Sequence, residues 1–419
     1  MIEGWLVAYL YHPYHRMMVI PNELVLGAKK SGTETGRSRS LVAASLTHAL
    51  HDGYTDSLYA FLPAWQAQFG LSYAALAMMR ALYYATMGGL QIPADRALRG
   101  WSPRAALILS TGLAAGGFVL MALSMGFAGL CVGLVVAGIG SSIQHPRGSL
   151  LVTDTYGAES RRALGIYNFS GDVGKAALPA LVALALPLLA WRPVLGLMAV
   201  PGVVVAYVLL RLAPGTRVAK AAITRGDTAR GRGGFGILTT IGALDTATRM
   251  GYLLFLPFLV HARGGGSPTV GVALALLFIG GAFGKATCGW LGEHLGVVAT
   301  VIVTETATAA LIMATLFTSL ASTLVLLPIL GIVLNGTSSV LYGTVPDLAR
   351  SDTGRAFAVF YTSVIGAGGI APIFYGVIAD HSNRSVGIVA SAATALLIVP
   401  LVFALRTYLH HPTTELAND

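Results

Sequence analysis

SLTHALHDGYTDSLYAFLPAWQ, residues 45–66, decides how the chain is read. It lies in an apolar segment, starting near Leu41, that is long enough to cross a membrane, yet it carries His48, Asp52 and Asp56 at four-residue spacing. That spacing stacks the three on one helix face, with Thr55 and Tyr59 beside the same stripe. A rise of about 1.5 Å per residue puts Asp52 roughly 16 Å and Asp56 roughly 22 Å beyond Leu41, the middle of a hydrocarbon layer about 30 Å thick. A carboxylate there costs at least about 2.5 kcal/mol, so these acids are expected to face a bundle interior or a wet cavity. The other segments are expected to build that interior.

The 419 residues are 55% hydrophobic and 11% charged, with a mean hydropathy of +0.72. This is the profile of a polytopic membrane protein, not of a soluble domain. Cys131 and Cys288 fall in apolar segments without CxxC or CxxH spacing, so the cysteines are expected to pack, with no disulfide framework and no metal site. Spanning segments recur near 41–66, 73–93, 105–124, 128–153, 164–188, 194–212, 237–260, 269–292, 298–319, 323–346, 355–380 and 386–409. The predicted fold is therefore all-α, with twelve transmembrane helices. Sixteen Lys and Arg fall in the loops of one side, against Arg192, Arg263 and Arg384 on the other. The positive-inside rule then puts both termini in the cytoplasm and makes the net charge of +9 a topology signal, not a nucleic-acid one.

Residues 1–40 read as a cytoplasmic tail, because Glu3 stands where a signal peptide needs basic residues and His12, Pro13, His15 and Arg16 interrupt the apolar run. Residues 410–419 read as a second tail. The Gly- and Arg-rich stretch 213–236 reads as a cytoplasmic linker between six-helix bundles at 41–212 and 237–409. These halves repeat. RRALGIYNFSGDVGKAALP (Arg161 to Pro179) aligns without gaps on GRAFAVFYTSVIGAGGIAP (Gly354 to Pro372) at an offset of 193, and the FLP at 61–63 matches that at 255–257 at an offset of 194. Parallel six-helix repeats with a substrate site at mid-depth are a transporter plan. Small-residue pairs such as Gly112 and Gly116 suit close helix packing, and Trp65, Trp101 and Trp191, near helix ends, suit interfacial anchors.

With GWLGEHLG (289–296) in the loop after helix 8, the chain resembles the major facilitator superfamily, and QIPADRALRG (91–100) looks like a degraded first copy of that signature, with Gln91 in the place of a Gly. SLTHALHD (45–52), FGLSYAALAM (69–78), GIGSSIQHP (138–146), Gly171xxGly174 with Pro179, and YGVIADHS (375–382) resemble the fosmidomycin resistance protein family more closely. Two departures fall where substrate would bind: Arg147 stands where the resemblance expects an acid, and helix 5 reads SGD with Lys175 added. The resemblance implies that Asp95, Arg96, Arg162, Glu293, His294 and Arg355 form gate contacts holding the inner side shut.

The buried charges carry the functional expectations. Asp52, Asp56, His48 and Asp245 are candidate proton carriers, although each acid also admits a permanent structural cation, and His48 or His51 plain packing. Arg249, one helical turn beyond Asp245, offers a bidentate fork to carboxylate or phosphonate, unless it closes an ion pair with Asp245 or Asp56. Arg80, Lys175, Asp172, Asn168, Tyr59, Asn335 and Tyr342 complete the candidate substrate site, and Gln144, His145 and Arg147 could line an inner vestibule. Lys285 and Glu305, at similar depth, are expected to pair, with Asp172 a competitor for Lys285. GxxxxGK[ST], HExxH and GxSxG are all missing, so no enzyme and no cofactor is expected, and the driving force is expected to be a proton gradient. The expected function is a plasma-membrane, proton-coupled exporter of a small anionic or amphipathic compound, expected to be a monomer. A proton symporter importing an organic anion and a non-transporting sensor are the alternatives.

Overall fold

The computed structural model describes residues 34–123, 125–215, 234–349 and 353–409, so most of the expected tails and the greater part of the expected linker lie outside the described residues. Those residues form helices and no strand. We label α1 Glu34–Phe69, α2 Tyr73–Gly89, α3 Pro103–Ala122, α4 Gly126–Tyr156 and α5 Ser160–Ala185. The first half closes with α6, Trp191–Leu212. The second comprises α7 Phe235–Ala262, then Ser267–Phe317, α10 Leu320–Leu348, α11 Thr353–His381 and α12 Arg384–Leu409. Gly296, at φ 78° and ψ 163°, interrupts Ser267–Phe317. A side chain rarely adopts such a backbone, and the break yields α8 (267–295) and α9 (297–317).

Eight of these helices, counting Ser267–Phe317 as one, are long and apolar enough to cross a membrane by composition alone. The exceptions are α1, α2 and α5, which carry Asp52, Asp56, Arg80, Asp172 and Lys175 within the bundle. α1 starts at Glu34, seven residues before the expected Leu41, and its first turns are tied down. Arg37 Nη2 lies 2.6 Å from Glu159 Oε2, and Arg39 donates to the Arg211 carbonyl. Trp65 is fully buried and stacked on Phe61, so it is a core residue and not an interfacial anchor.

The two halves share one plan. α1 packs on α5 as α7 packs on α11, and α3 packs on α4 as α9 and α8 pack on α10. α1 and α5 approach so closely that a Cβ on Gly174 would stand 1.8 Å from the Ala49 carbonyl oxygen. At the equivalent places, Tyr167 stacks on His48 at 4.0 Å in the first half, whereas Phe360 fills the space over Gly242 in the second. The halves meet along α2 with α11, α5 with α8, and α1 with α7.

The seam is closed at the end of the bundle away from Glu34 and Leu409. There the Asp380 carboxylate accepts from Tyr73 N at 2.8 Å and Ala74 N at 2.9 Å, capping α2 from the other half. One turn earlier in α11, a Cβ on Gly376 would lie 2.6 Å from Ala74 N. The Tyr73 ring packs edge-on against Phe255 and Phe258 of α7. Near the termini, no ion pair crosses the seam among the described residues.

Candidate functional site

The helical spacing read from α1 places His48, Asp52 and Asp56 inside the bundle, each less than a tenth exposed. Lys175 from α5 sets its ammonium 3.1 Å from Asp52 Oδ2, and His48 Nε2 lies 3.6 Å from the same oxygen. His145, expected only to line a vestibule, brings its Nε2 to 3.9 Å from Asp52 Oδ1. Residue 145 bears no periodic relation to residue 48, so only the packing of α4 on α1 could reveal this contact. His51 is separate. Its Nδ1 meets Ser141 Oγ at 2.8 Å and its Nε2 meets Ser110 Oγ at 3.2 Å, within a sealed hydroxyl network that includes Tyr83. Two neutral hydroxyls satisfy both ring nitrogens, so its role is packing.

Lys175 is also 4.0 Å from Asp172, one turn before it on α5. Asp172 in turn receives Lys285 of α8, with Nζ 2.7 Å from both carboxylate oxygens. The expected Lys285–Glu305 pair is therefore not formed. Depth alone made those two partners plausible, but Lys285 points across the seam and Glu305 into its own half. Glu305 instead meets Asp245 of α7 carboxyl to carboxyl, with Thr337 beside it. Asp172 and Lys285 belong to opposite halves, and side-chain exposures of 30% for Lys175 and 37% for Lys285 show that the seam is open here.

The two arginines face this seam from opposite sides. Arg80 stacks its guanidinium 3.5 Å from the Tyr59 ring centre and donates through Nη1 to the Thr55 carbonyl at 3.2 Å. Its Nη2 is buried without a partner. Arg249 closes no ion pair with Asp245 or Asp56. Neutral oxygens hold it: Nη1 reaches Asn335 Oδ1 at 3.5 Å, Nη2 reaches Thr246 Oγ1 at 3.3 Å, and Nε is buried without a partner. Between the arginines, Tyr59 and Tyr84 both direct hydroxyls at Met250 Sδ, at 3.3 and 3.5 Å. Asp56 forms no ion pair within 4.0 Å among the described residues, yet Lys175, Arg80 and Arg249 all act on it electrostatically. Sequence reasoning passed over Tyr84 and Met250, which carry no charge to mark them.

Other expected members are placed elsewhere. Asn168 is exposed, with no polar partner among the described residues, and Tyr342 packs into an aromatic group with Phe360 and Tyr361. Of the expected gate residues, Asp95 pairs within its own half: Arg147 Nη2 lies 3.3 Å from Asp95 Oδ1 and 2.7 Å from its carbonyl oxygen. This contact gives Arg147, the residue that departs from the family pattern, a structural role. Arg96, Arg162, Glu293 and His294 are exposed. His294 turns back onto the Trp290 carbonyl, and the Arg355 side chain lies outside the described residues.

A model of the Major Facilitator Superfamily matches residues 44–236. The fosmidomycin resistance protein of Escherichia coli (strain K12) is 27% identical over 164 residues, and the match takes in 38% of this chain and 39% of that protein. Two structures of a bacterial homologue of the human lysosomal transporter Spinster share the fold at 19% identity. One is inward-facing and unoccupied, with a TM-score of 0.69, and the other inward-facing and occupied, with a TM-score of 0.70. Each alignment covers 90% of this chain and 98% of the other.

Proposed function

Because this chain belongs to the major facilitator superfamily of membrane transporters, we propose that it is a proton-coupled exporter of a small anionic or amphipathic compound, working by alternating access in a plasma membrane. One observation carries the anion. Arg80 Nη2 and Arg249 Nε, contributed by opposite halves, are both buried without acceptors. A guanidinium stays charged, and a buried donor left unpaired costs about 1–3 kcal/mol. A carboxylate or phosphonate lodged between the halves supplies the acceptors, while Tyr59, Tyr84 and Met250 offer aromatic and apolar surface to the body of the molecule.

Proton coupling rests on the exchange of partners. A proton on Asp52 removes the charge that holds Lys175, which has Asp172 as its alternative 4.0 Å away. Asp172 is the residue that Lys285 grips across the seam, so a protonation event in α1 alters a contact between the halves. The Asp245–Glu305 contact offers a second place, since a carboxyl–carboxyl hydrogen bond holds a proton between two oxygens. Closure by Asp380 at one end supports a form open towards the termini, ready to load from the cytoplasm. Similarity to a protein named for drug resistance supports export.

The test uses everted vesicles containing the full chain and acidified within. Adding transported alkyl phosphonates or aromatic carboxylates is expected to release the stored protons. Arg249→Ala is expected to weaken anion binding roughly 10- to 100-fold, the value of a hydrogen bond to a charged group, and to leave neutral analogues almost unaffected. Equal loss of both would make Arg249 a brace, and accumulation in intact cells driven by an inward proton gradient would reverse the direction to import.

A further inference from the structure

The nitrogens and oxygens around Asp52 are arranged for more than a proton. His48 Nε2, an Asp52 oxygen and His145 Nε2 all lie within 4.8 Å of one another, with carboxylate contacts of 3.6 and 3.9 Å. The contacts use the two different carboxylate oxygens, Oδ2 for His48 and Oδ1 for His145. Ligand atoms about 2.1 Å from a tetrahedral ion stand about 3.4 Å apart, so capture of an ion draws the three side chains together by up to about 1.4 Å, within reach of side-chain rotation. On the α5 side, only a glycine lets the backbone pass this close to the ligand atoms. A Cβ on Gly171 would lie 2.6 Å from Asp52 Oδ2 and 2.7 Å from His48 Nε2, the two atoms that would bind.

A second, independent observation concerns the far side of the His48 ring. His48 Nδ1 and Gln144 Oε1 are both buried with no partner in hydrogen-bond geometry, although the two side chains are within reach of each other. A small rotation joins them. It makes Nδ1 the donor and leaves the Nε2 lone pair facing the carboxylate, the orientation that an outer hydrogen bond imposes on a metal-binding histidine. Two imidazoles and a carboxylate then form a donor set that attracts a cation, and the Lys175 ammonium fills that role at 3.1 Å from Asp52 Oδ2.

We infer that His48, Asp52 and His145 form a binding site for a first-row transition-metal dication, which displaces Lys175 from Asp52. Two imidazoles and one carboxylate suit zinc, cobalt or nickel rather than calcium or magnesium. Lys175 has Asp172 at 4.0 Å as its alternative partner, so the ammonium and the dication compete for one carboxylate. The site goes beyond the proposed transport of anions, and its test reads binding alone.

Purified full-length protein, with any affinity tag removed, is titrated with Co²⁺ while visible d–d absorption is recorded, and with Zn²⁺ by calorimetry. One equivalent is expected to bind. His48→Ala and His145→Ala should each weaken it at least about tenfold, and Lys175→Met, which removes the competitor, should tighten it about tenfold. Gly171→Ala should abolish the absorption. Circular dichroism identifies any variant that fails to fold, in which case His48→Gln and His145→Gln replace it. Two results would overturn the site: no binding below about 1 mM in both wild type and Lys175→Met, or binding that survives both histidine variants, which would place the ion on other histidines such as His12 and His15.

Discussion

At the scale of single residues, the buried charges are organised by partner. Asp52→Asn keeps shape and removes charge, so it is expected to abolish proton movement in vesicles while the protein still folds; coupling retained in that variant would exclude Asp52 from the mechanism. Asp172→Asn leaves Lys285 facing a neutral amide. Breaking a fully buried pair costs about 3–5 kcal/mol, but Lys285 keeps contact with solvent, so a loss of about 2 kcal/mol is expected by thermal unfolding. Adding Lys285→Gln should recover most of it. The spacing of His48, Asp52 and Asp56 was legible because helical periodicity alone puts them on one face. The choice of cation for each acid was not legible, since similar depth favoured Glu305 for Lys285 with Asp172 only a competitor, and the direction of α8 decides for Asp172.

At the scale of elements, two crossings hold the arrangement. A methyl group on Gly174 would enter the Ala49 carbonyl, which is backbone and cannot swing aside. Gly174→Ala should therefore cost more than about 3 kcal/mol and reduce the yield of folded protein in detergent, because it drives α5 away from α1 and takes Lys175 with it. The other crossing is the cap that α11 places on α2. Asp380→Ala removes a carboxylate from two backbone donors at a helix N-terminus, and Gly376→Val wedges the same contact. Both should shift the population towards a form open at that end, measurable as a longer distance between spin labels placed on the loop after α1 and the loop after α11. An unchanged distance distribution would show that Tyr73, Phe255 and Phe258 suffice to close it. The sequence marked Asp380 only as the end of a span and as part of the YGVIADHS segment, without a partner, because a cap across two distant helices leaves no local pattern.

At the scale of the whole molecule, the twelve spans and their two-fold repetition were legible from hydropathy and from the 193-residue offset, since each half has to bury the same kind of face. The repetition extends to helix partners but not to chemistry. Gly242 and Phe360 occupy, in the second half, the places that His48 and Tyr167 hold in the first. A chain assembled from two copies of residues 235–409 would thus inherit the scaffold without the ammonium–carboxylate cluster, whereas two copies of the first half would crowd unlike charges and rings into both walls. The second half keeps acids of its own, Asp245 and Glu305, but no counterpart of the His48–Asp52–Lys175 cluster, so the two walls of the seam are chemically unlike and substitutions in one have no mirror effect in the other.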